Sequence, residues 1–219
     1  MGILARHHKA QSRVGLLSHR HKVKMIKVAI TGNIASGKSV LEQILKEKGF
    51  AVIDADEIAH NLIKNEAVKT KIIQIFQGFD IVENGEISRK KLGQIVFVRD
   101  NLRKKLEEIL HPAIKDEIGR FFRQQQEQGE KIAFASVPLL FEAKFEDLFD
   151  KIIFVYADDE IRLKRLMQRN NLALEHAQNR LSIQISQDKK APLADYVIYN
   201  NSDLEYLKLS LEKILKELL

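Results

Sequence analysis

Apolar residues in this chain fall into two patterns, and their alternation gives the architecture. Five short runs are apolar almost without interruption: Ile26–Gly32, Phe50–Ile53, Lys131–Val137, Lys151–Tyr156 and Tyr196–Tyr199. Runs of this length and composition predict strands buried on both faces, as a parallel sheet requires. Elsewhere apolar positions recur every three or four residues, at Val40, Leu41, Ile44 and Leu45, at Ile58, Leu62 and Ile63, and at Ile72, Ile73, Ile75 and Phe76. The same spacing links Leu102, Leu106, Ile109 and Leu110, and it returns at Leu204, Leu207, Leu211, Ile214, Leu215 and Leu218. These segments predict amphipathic helices. Gly49 ends the first helix, Gly78 and Glu83–Glu86 interrupt the middle stretch, and His111–Pro112 predicts the start of another. Strands alternating with helices predict an α/β fold of three layers around a five-stranded parallel sheet.

The first strand empties into Gly32-Asn33-Ile34-Ala35-Ser36-Gly37-Lys38-Ser39, in which Gly32, Gly37, Lys38 and Ser39 fit the spacing of a phosphate-binding loop. Glycine permits torsions and close approaches that let successive N–H groups turn toward anionic oxygens. Lys38 can reach β- and γ-phosphates, and the Ser39 hydroxyl suits Mg²⁺, a hard cation. The helix that begins near Gly37 adds the positive end of its dipole. Strand, loop and helix stand in the order the motif demands, so a bound nucleoside triphosphate is expected here.

Asp54 and Asp56 close the second strand, at the sheet end where ligands bind in open α/β folds. Successive strand residues alternate faces, so Asp54 and Asp56 can share one orientation. One carboxylate can then accept a proton from an attacking hydroxyl while the other holds Mg²⁺; the competing role for Asp54 is to cap the following helix. Downstream, Arg162, Arg165 and Arg169 fall within about 60° on one helix, away from Leu163, Leu166 and Met167. Such a stripe commonly means a solvated face, but after a strand of a phosphate-loop protein it suits a lid whose guanidinium groups clamp phosphate oxygens.

Charge changes the picture less than its total suggests. The net charge is +6, yet Arg6, Lys9, Arg13, Arg20, Lys22 and Lys24 supply all of it within residues 1–24, which hold no acid. The remainder is neutral overall, so no nucleic-acid partner is expected of it. Residues 1–24 read as a disordered basic leader, with a start upstream of a native Met25 and an organellar targeting peptide as the other readings their composition permits. No apolar run approaches the ~18 residues that cross a bilayer, so no membrane partner is expected. The absence of cysteine excludes disulfides and thiolate metal sites and is compatible with the reducing cytoplasm, the location expected.

Taken together, the phosphate loop, Val52-Ile53-Asp54-Ala55-Asp56-Glu57-Ile58-Ala59, His111-Pro112, Val137-Pro138-Leu139-Leu140-Phe141-Glu142, Arg165 with Arg169, and Ala194-Asp195-Tyr196-Val197-Ile198 with Asn200-Asn201 resemble the dephospho-CoA kinase family. The correspondence runs from Met25 nearly to the end. It implies a three-layer P-loop kinase fold with a helical acceptor-binding insertion and a lid, and the transfer of phosphate from ATP, with Mg²⁺, to the 3′-hydroxyl of dephospho-CoA. On this resemblance the nucleotide core covers about 25–56, 130–158 and 194–219, the insertion about 57–129 and the lid about 159–190. Asp56 is then the base, with Lys38 and Arg165 as its catalytic partners. ATP falls to Gly32, Ala35, Ser36, Gly37, Lys38, Ser39, Val40 and Arg169, with Asn200 and Asn201 near the adenine. His111, Leu139 and Glu142 line the acceptor side, and Ser39 and Asp54 serve the metal. Two positions depart from the family pattern: Asn33 stands where glycine is common, which its tolerance of unusual torsions would allow, and Tyr199 stands where an acid precedes the Asn pair. A monomer or weak homo-oligomer is expected.

Spacing alone does not distinguish one acceptor from another, so a nucleoside monophosphate kinase is the nearest alternative. A GTPase switch is disfavoured: no Asn-Lys dipeptide occurs, and the one Asp-x-x-Gly, Asp116 to Gly119, lies in a helical stretch.

Overall fold

A computed structural model describes residues 24–219; the leader, except for Lys24, lies outside the described residues. The chain runs β1 (Ile26–Gly32), α1 (Lys38–Glu47), β2 (Val52–Asp54), α2 (Ala55–Lys64), α3 (Glu66–Ile75), β3 (Val82–Glu83), β4 (Glu86–Ile87), α4 (Arg89–Val98), α5 (Asp100–Gln128) and β5 (Ile132–Ser136). It continues through β6 (Lys151–Tyr156), α6 (Asp159–Asn170), α7 (Leu174–Ser182), α8 (Gln187–Lys190), β7 (Tyr196–Tyr199) and α9 (Leu204–Leu218). The main sheet is parallel, in the order β2-β5-β1-β6-β7. Its five strands are the five apolar runs. β1 is central, paired with β5 on one edge and β6 on the other, so the loop after it opens where the connections diverge to either side.

Pleating sends alternate residues to opposite faces. Val28 and Ile30 of β1 pack with Leu41 and Leu45 of α1 and Leu207 and Leu211 of α9. Ala29 of β1, with Ala133 and Ala135 of β5, faces a second core built from α2 to α5, where Ile72, Ile118 and Phe122 are buried. Each large aliphatic side chain taken fully out of water contributes about 1.5–3 kcal/mol, so the layers are held mainly by these two cores.

Two sequence expectations are corrected here. His111-Pro112 does not start a helix: α5 runs unbroken through Pro112. The missing N–H deprives the Glu108 carbonyl of its donor, but Leu110, Ile114, Ile118 and Phe122 anchor the helix on both sides of that point. The turn signal at Glu83–Glu86 closes a short antiparallel hairpin, β3 with β4, inside a stretch that reads as helical. Asn84 and Gly85 both take positive φ there, as a tight hairpin turn requires.

Candidate active site

The phosphate loop is shaped by three local demands. Ala35 sits at φ 62, a left-handed conformation unusual outside glycine, and Gly37 at φ 103. A Cβ on Gly37 would lie 2.0 Å from Asn200 Nδ2, and one on Gly32 would lie 2.6 Å from both Ser36 Oγ and the Val155 carbonyl oxygen. Asn33 takes no positive φ. Its departure from glycine is therefore not a torsional matter, as the sequence suggested, and the left-handed turn falls on Ala35 instead.

This loop walls a cavity of about 820 Å³ lined by Gly32–Val40, Asp54, Asp56, Pro138, Arg165, Gln168, Arg169 and Gln184. Every loop residue named from the sequence lines it. The Lys38 amine donates to Ser136 Oγ at the end of β5 and lies 4.0 Å from Glu42. Ser36 Oγ is buried without a partner. A loop of inward-turned backbone, a lysine and an unpartnered hydroxyl fit a polyphosphate. The oxygen donors on the same wall, Ser39, Asp54 and Asp56, fit Mg²⁺, which is held by few protein oxygens and keeps several waters.

The two aspartates are not consecutive inward positions of a strand. β2 ends at Asp54, and Asp56 belongs to the first turn of α2. Asp54 Oδ1 caps that helix, accepting the N–H groups of Asp56 at 2.6 Å and Glu57 at 3.2 Å. Asp56 keeps its carboxylate for the cavity. Asp56 is exposed at the cleft wall, and the partial desolvation of its carboxyl there raises its pKa. The Asp54 charge adds to the rise, while Lys38 and Arg89 oppose it.

Asp56 also borders a second, largely apolar cavity of about 300 Å³, whose wall includes Ala59, Leu106, Leu110, His111, Ile114, Leu139 and Phe145. His111 packs edge-on against Phe145, with ring centroids 5.3 Å apart, and burial lowers its pKa and favours the neutral ring. Leu139, half exposed, lies on the turn after β5. Glu142 borders neither cavity: its Oε1 lies 2.5 Å from Lys190 Nζ, whose side chain is almost completely buried.

Arg165 bridges the phosphate-loop cavity and a smaller one, of about 210 Å³, bounded by Gly37, Val40, Asn200, Ser202 and Leu207. Its guanidinium donates to the carbonyls of Ser36 at 3.4 Å and Asn200 at 3.0 Å. Asn200 Nδ2 donates to the Ser36 carbonyl at 2.7 Å. Asn201 lines neither of these cavities and accepts the Asp158 N–H instead. Arg169 lines the phosphate-loop cavity, and its Nε is bonded to neighbouring Asn170. Tyr199 is exposed against Tyr156, with ring centroids 5.2 Å apart. Arg162, read as part of the stripe, is buried: Nε donates to the Ile34 carbonyl and Nη1 to Asp159. Ser136, Glu42 and the loop contacts of Gln184 escaped the sequence reading, because nothing local in the sequence shows that they meet Lys38 or Ile34.

A parallel sheet with a phosphate loop after its central strand, a carboxylate across the cleft and arginines from a neighbouring helix define a P-loop kinase. Residues 26–205 match the family model described as dephospho-CoA kinase. A curated dephospho-CoA kinase from Listeria innocua is 42% identical over 81% of this chain and 90% of its own length. The solved dephospho-CoA kinase from Campylobacter jejuni superposes with a TM-score of 0.67 at 34% identity, covering 87% of this chain and 96% of that one. A shikimate kinase from Bacteroides thetaiotaomicron, 14% identical with a TM-score of 0.51 over 89% of this chain and 99% of its own, shares the fold. The chain belongs to the dephospho-CoA kinase family.

Proposed function

We infer that this protein transfers the γ-phosphoryl group of ATP to the ribose 3′-hydroxyl of dephospho-CoA, the last step of coenzyme A synthesis. The observation that carries the reading is the position of Asp56, on the wall of both the phosphate-loop cavity and the apolar cavity beside it. A carboxylate at that junction can take the proton of an acceptor hydroxyl as its oxygen attacks the γ-phosphorus and the bond to the β-phosphate oxygen breaks.

The geometry supports an assignment of the remaining roles. Loop amides and the α1 N-terminus bind the phosphates, and Lys38, released from Ser136, carries its charge to the β- and γ-oxygens. Ser39 and Asp54 would hold Mg²⁺, which when bound offsets the charge of those oxygens. Arg165 donates to the Ser36 carbonyl and borders both the phosphate-loop cavity and the one beside Asn200, so in place of the catalytic role expected from the sequence we assign it to orienting ATP, and Arg169, expected to bind ATP, to the transferred group. Asn200 supports the loop at the base end. The apolar wall of Leu139, Leu110 and Ile114, with neutral His111, takes part of the acceptor. Glu142 is withdrawn from that wall.

Among the described residues no helix is long and apolar enough to cross a membrane. A cytoplasmic monomer or weak homo-oligomer completes the reading. Mass spectrometry of the product from ATP plus dephospho-CoA tests it. A gain of one phosphate on dephospho-CoA is expected, and turnover of a nucleoside monophosphate with none of dephospho-CoA would overturn it.

A further inference from the structure

The phosphate loop is gripped from outside by the segment that returns from α7. Gln184 Oε1 accepts the Ile34 N–H at 2.7 Å, and Asn33 Nδ2 donates to the Ile185 carbonyl at 2.9 Å. Behind these bonds lies a charge pair, fully buried at Lys190 and partly buried at Glu142. Lys190 is 1% exposed; its Nζ lies 2.5 Å from Glu142 Oε1 and donates to Asn33 Oδ1 at 2.9 Å. A buried ammonium needs both an opposite charge and further acceptors, and here one segment supplies each. Asn33 is suited to this position because its amide offers an acceptor to Lys190 and a donor to Ile185 at once.

We propose that Asn33, Glu142 and Lys190 form a latch that positions the phosphate loop. Asn33 comes from the loop after β1, Glu142 from the turn after β5 and Lys190 from α8, so none of the three segments can shift without leaving a buried charge short of partners. The returning half of the lid, Gln184–Lys190, is then a fixed anchor, and the part free to close over ATP shortens to Asn171–Ile183. Glu142 acts by holding Lys190, not by touching the acceptor. A smaller residue at position 33 would remove both bonds and loosen the Ile34 end of the loop.

The inference rests on reading Gly32–Ser39 as the ATP site, and its test separates the two. In the full chain, Asn33→Ala should raise the KM for ATP about tenfold, the scale of one hydrogen bond to a charged group, while the KM for dephospho-CoA stays within about twofold. Hydrogen exchange should quicken at the Ile34 amide and across Gln184–Gln187. Asn33→Asp keeps the acceptor for Lys190 and loses the donor, so it should recover part of the ATP affinity; it also carries the test if the alanine variant does not fold. Glu142→Gln should weaken ATP in the same direction. An unchanged KM for ATP and unchanged exchange in Asn33→Ala would overturn the latch, as would Glu142→Gln raising only the KM for dephospho-CoA. Wild-type protein without turnover would fault the functional reading instead, and the exchange measurement, which needs no substrate, would still decide the latch.

Discussion

Asp54 Oδ1 accepts the backbone N–H of Asp56 at 2.6 Å, so one carboxylate fixes the residue that borders both cavities. The two acids divide what neither can do alone. Asp54 orders the first turn of α2, and its charge helps to hold the Asp56 pKa above the ordinary carboxylate value, after burial.

Asp56→Asn should lower turnover by about 10²- to 10⁴-fold with little change in ATP affinity. The stability effect has the opposite sign. A group whose pKa is raised on folding stabilises the fold below its unfolded pKa and loses that contribution as pH rises through the folded value. At pH 7 the ionised Asp56 is therefore unfavourable to folding, and the Asn variant should melt slightly higher, with the difference vanishing near pH 3. Thermal denaturation at the two pH values checks this, and a variant that melts lower at pH 7 would contradict it.

Asp54 separates capping from charge. Asp54→Ala should cost about 1 kcal/mol through the lost cap, whereas Asp54→Asn keeps an acceptor and most of that stability. Both remove a negative charge beside Asp56, so the acid limb of kcat/KM should move to lower pH. Chemical denaturation and a pH profile read the two effects separately. Equal stability of the Asn and Ala variants would remove the cap from the account.

The two α6 arginines, Arg165 and Arg169, should differ in kinetics. Arg165 already binds the loop and borders the smaller cavity beside Asn200, so Arg165→Ala should act mainly on the KM for ATP. Arg169 makes no bond to the loop, and Arg169→Ala should lower kcat and kcat/KM together, as expected for a contact formed only during transfer. Steady-state kinetics with ATP varied at saturating dephospho-CoA would show it; a purely KM effect at Arg169 would return it to ground-state binding.

Gly37→Ala would set a Cβ 2.0 Å from Asn200 Nδ2 at a φ of 103. The Asn200 bond to the Ser36 carbonyl must then break, and the loop must shift. ATP binding should fall by about two orders of magnitude, an effect on the scale of a few kcal/mol of strain and lost hydrogen bonding. Isothermal titration with ATP measures it, and wild-type affinity would show that the loop relaxes freely.

The sheet was legible because buried parallel strands are written as unbroken apolar runs, and the runs at Lys151–Tyr156 and Tyr196–Tyr199 coincide with β6 and β7. The phosphate loop was legible because each of its residue types has a local reason. Pro112 misled because tertiary packing along α5 outweighs the local break it would cause in isolation. Asp56 reads as a strand end but stands in the first turn of α2, since a strand end and a helix first turn look alike in three residues. The Lys38–Ser136 bond and the Glu142–Lys190 pair were invisible because they join residues 98 and 48 positions apart, and no periodicity encodes such a meeting.

Because β1 is bonded along both edges, its backbone opens only when the sheet itself comes apart. The phosphate loop thus leaves one of the three strands, β5, β1 and β6, that are paired along both edges, while α7 and the two-stranded β3–β4 hairpin are expected to open at lower cost. Nucleotide binding adds protection in proportion to what still moves. ATP should therefore shield α7 from proteolysis far more than it alters the exchange of Val28–Thr31.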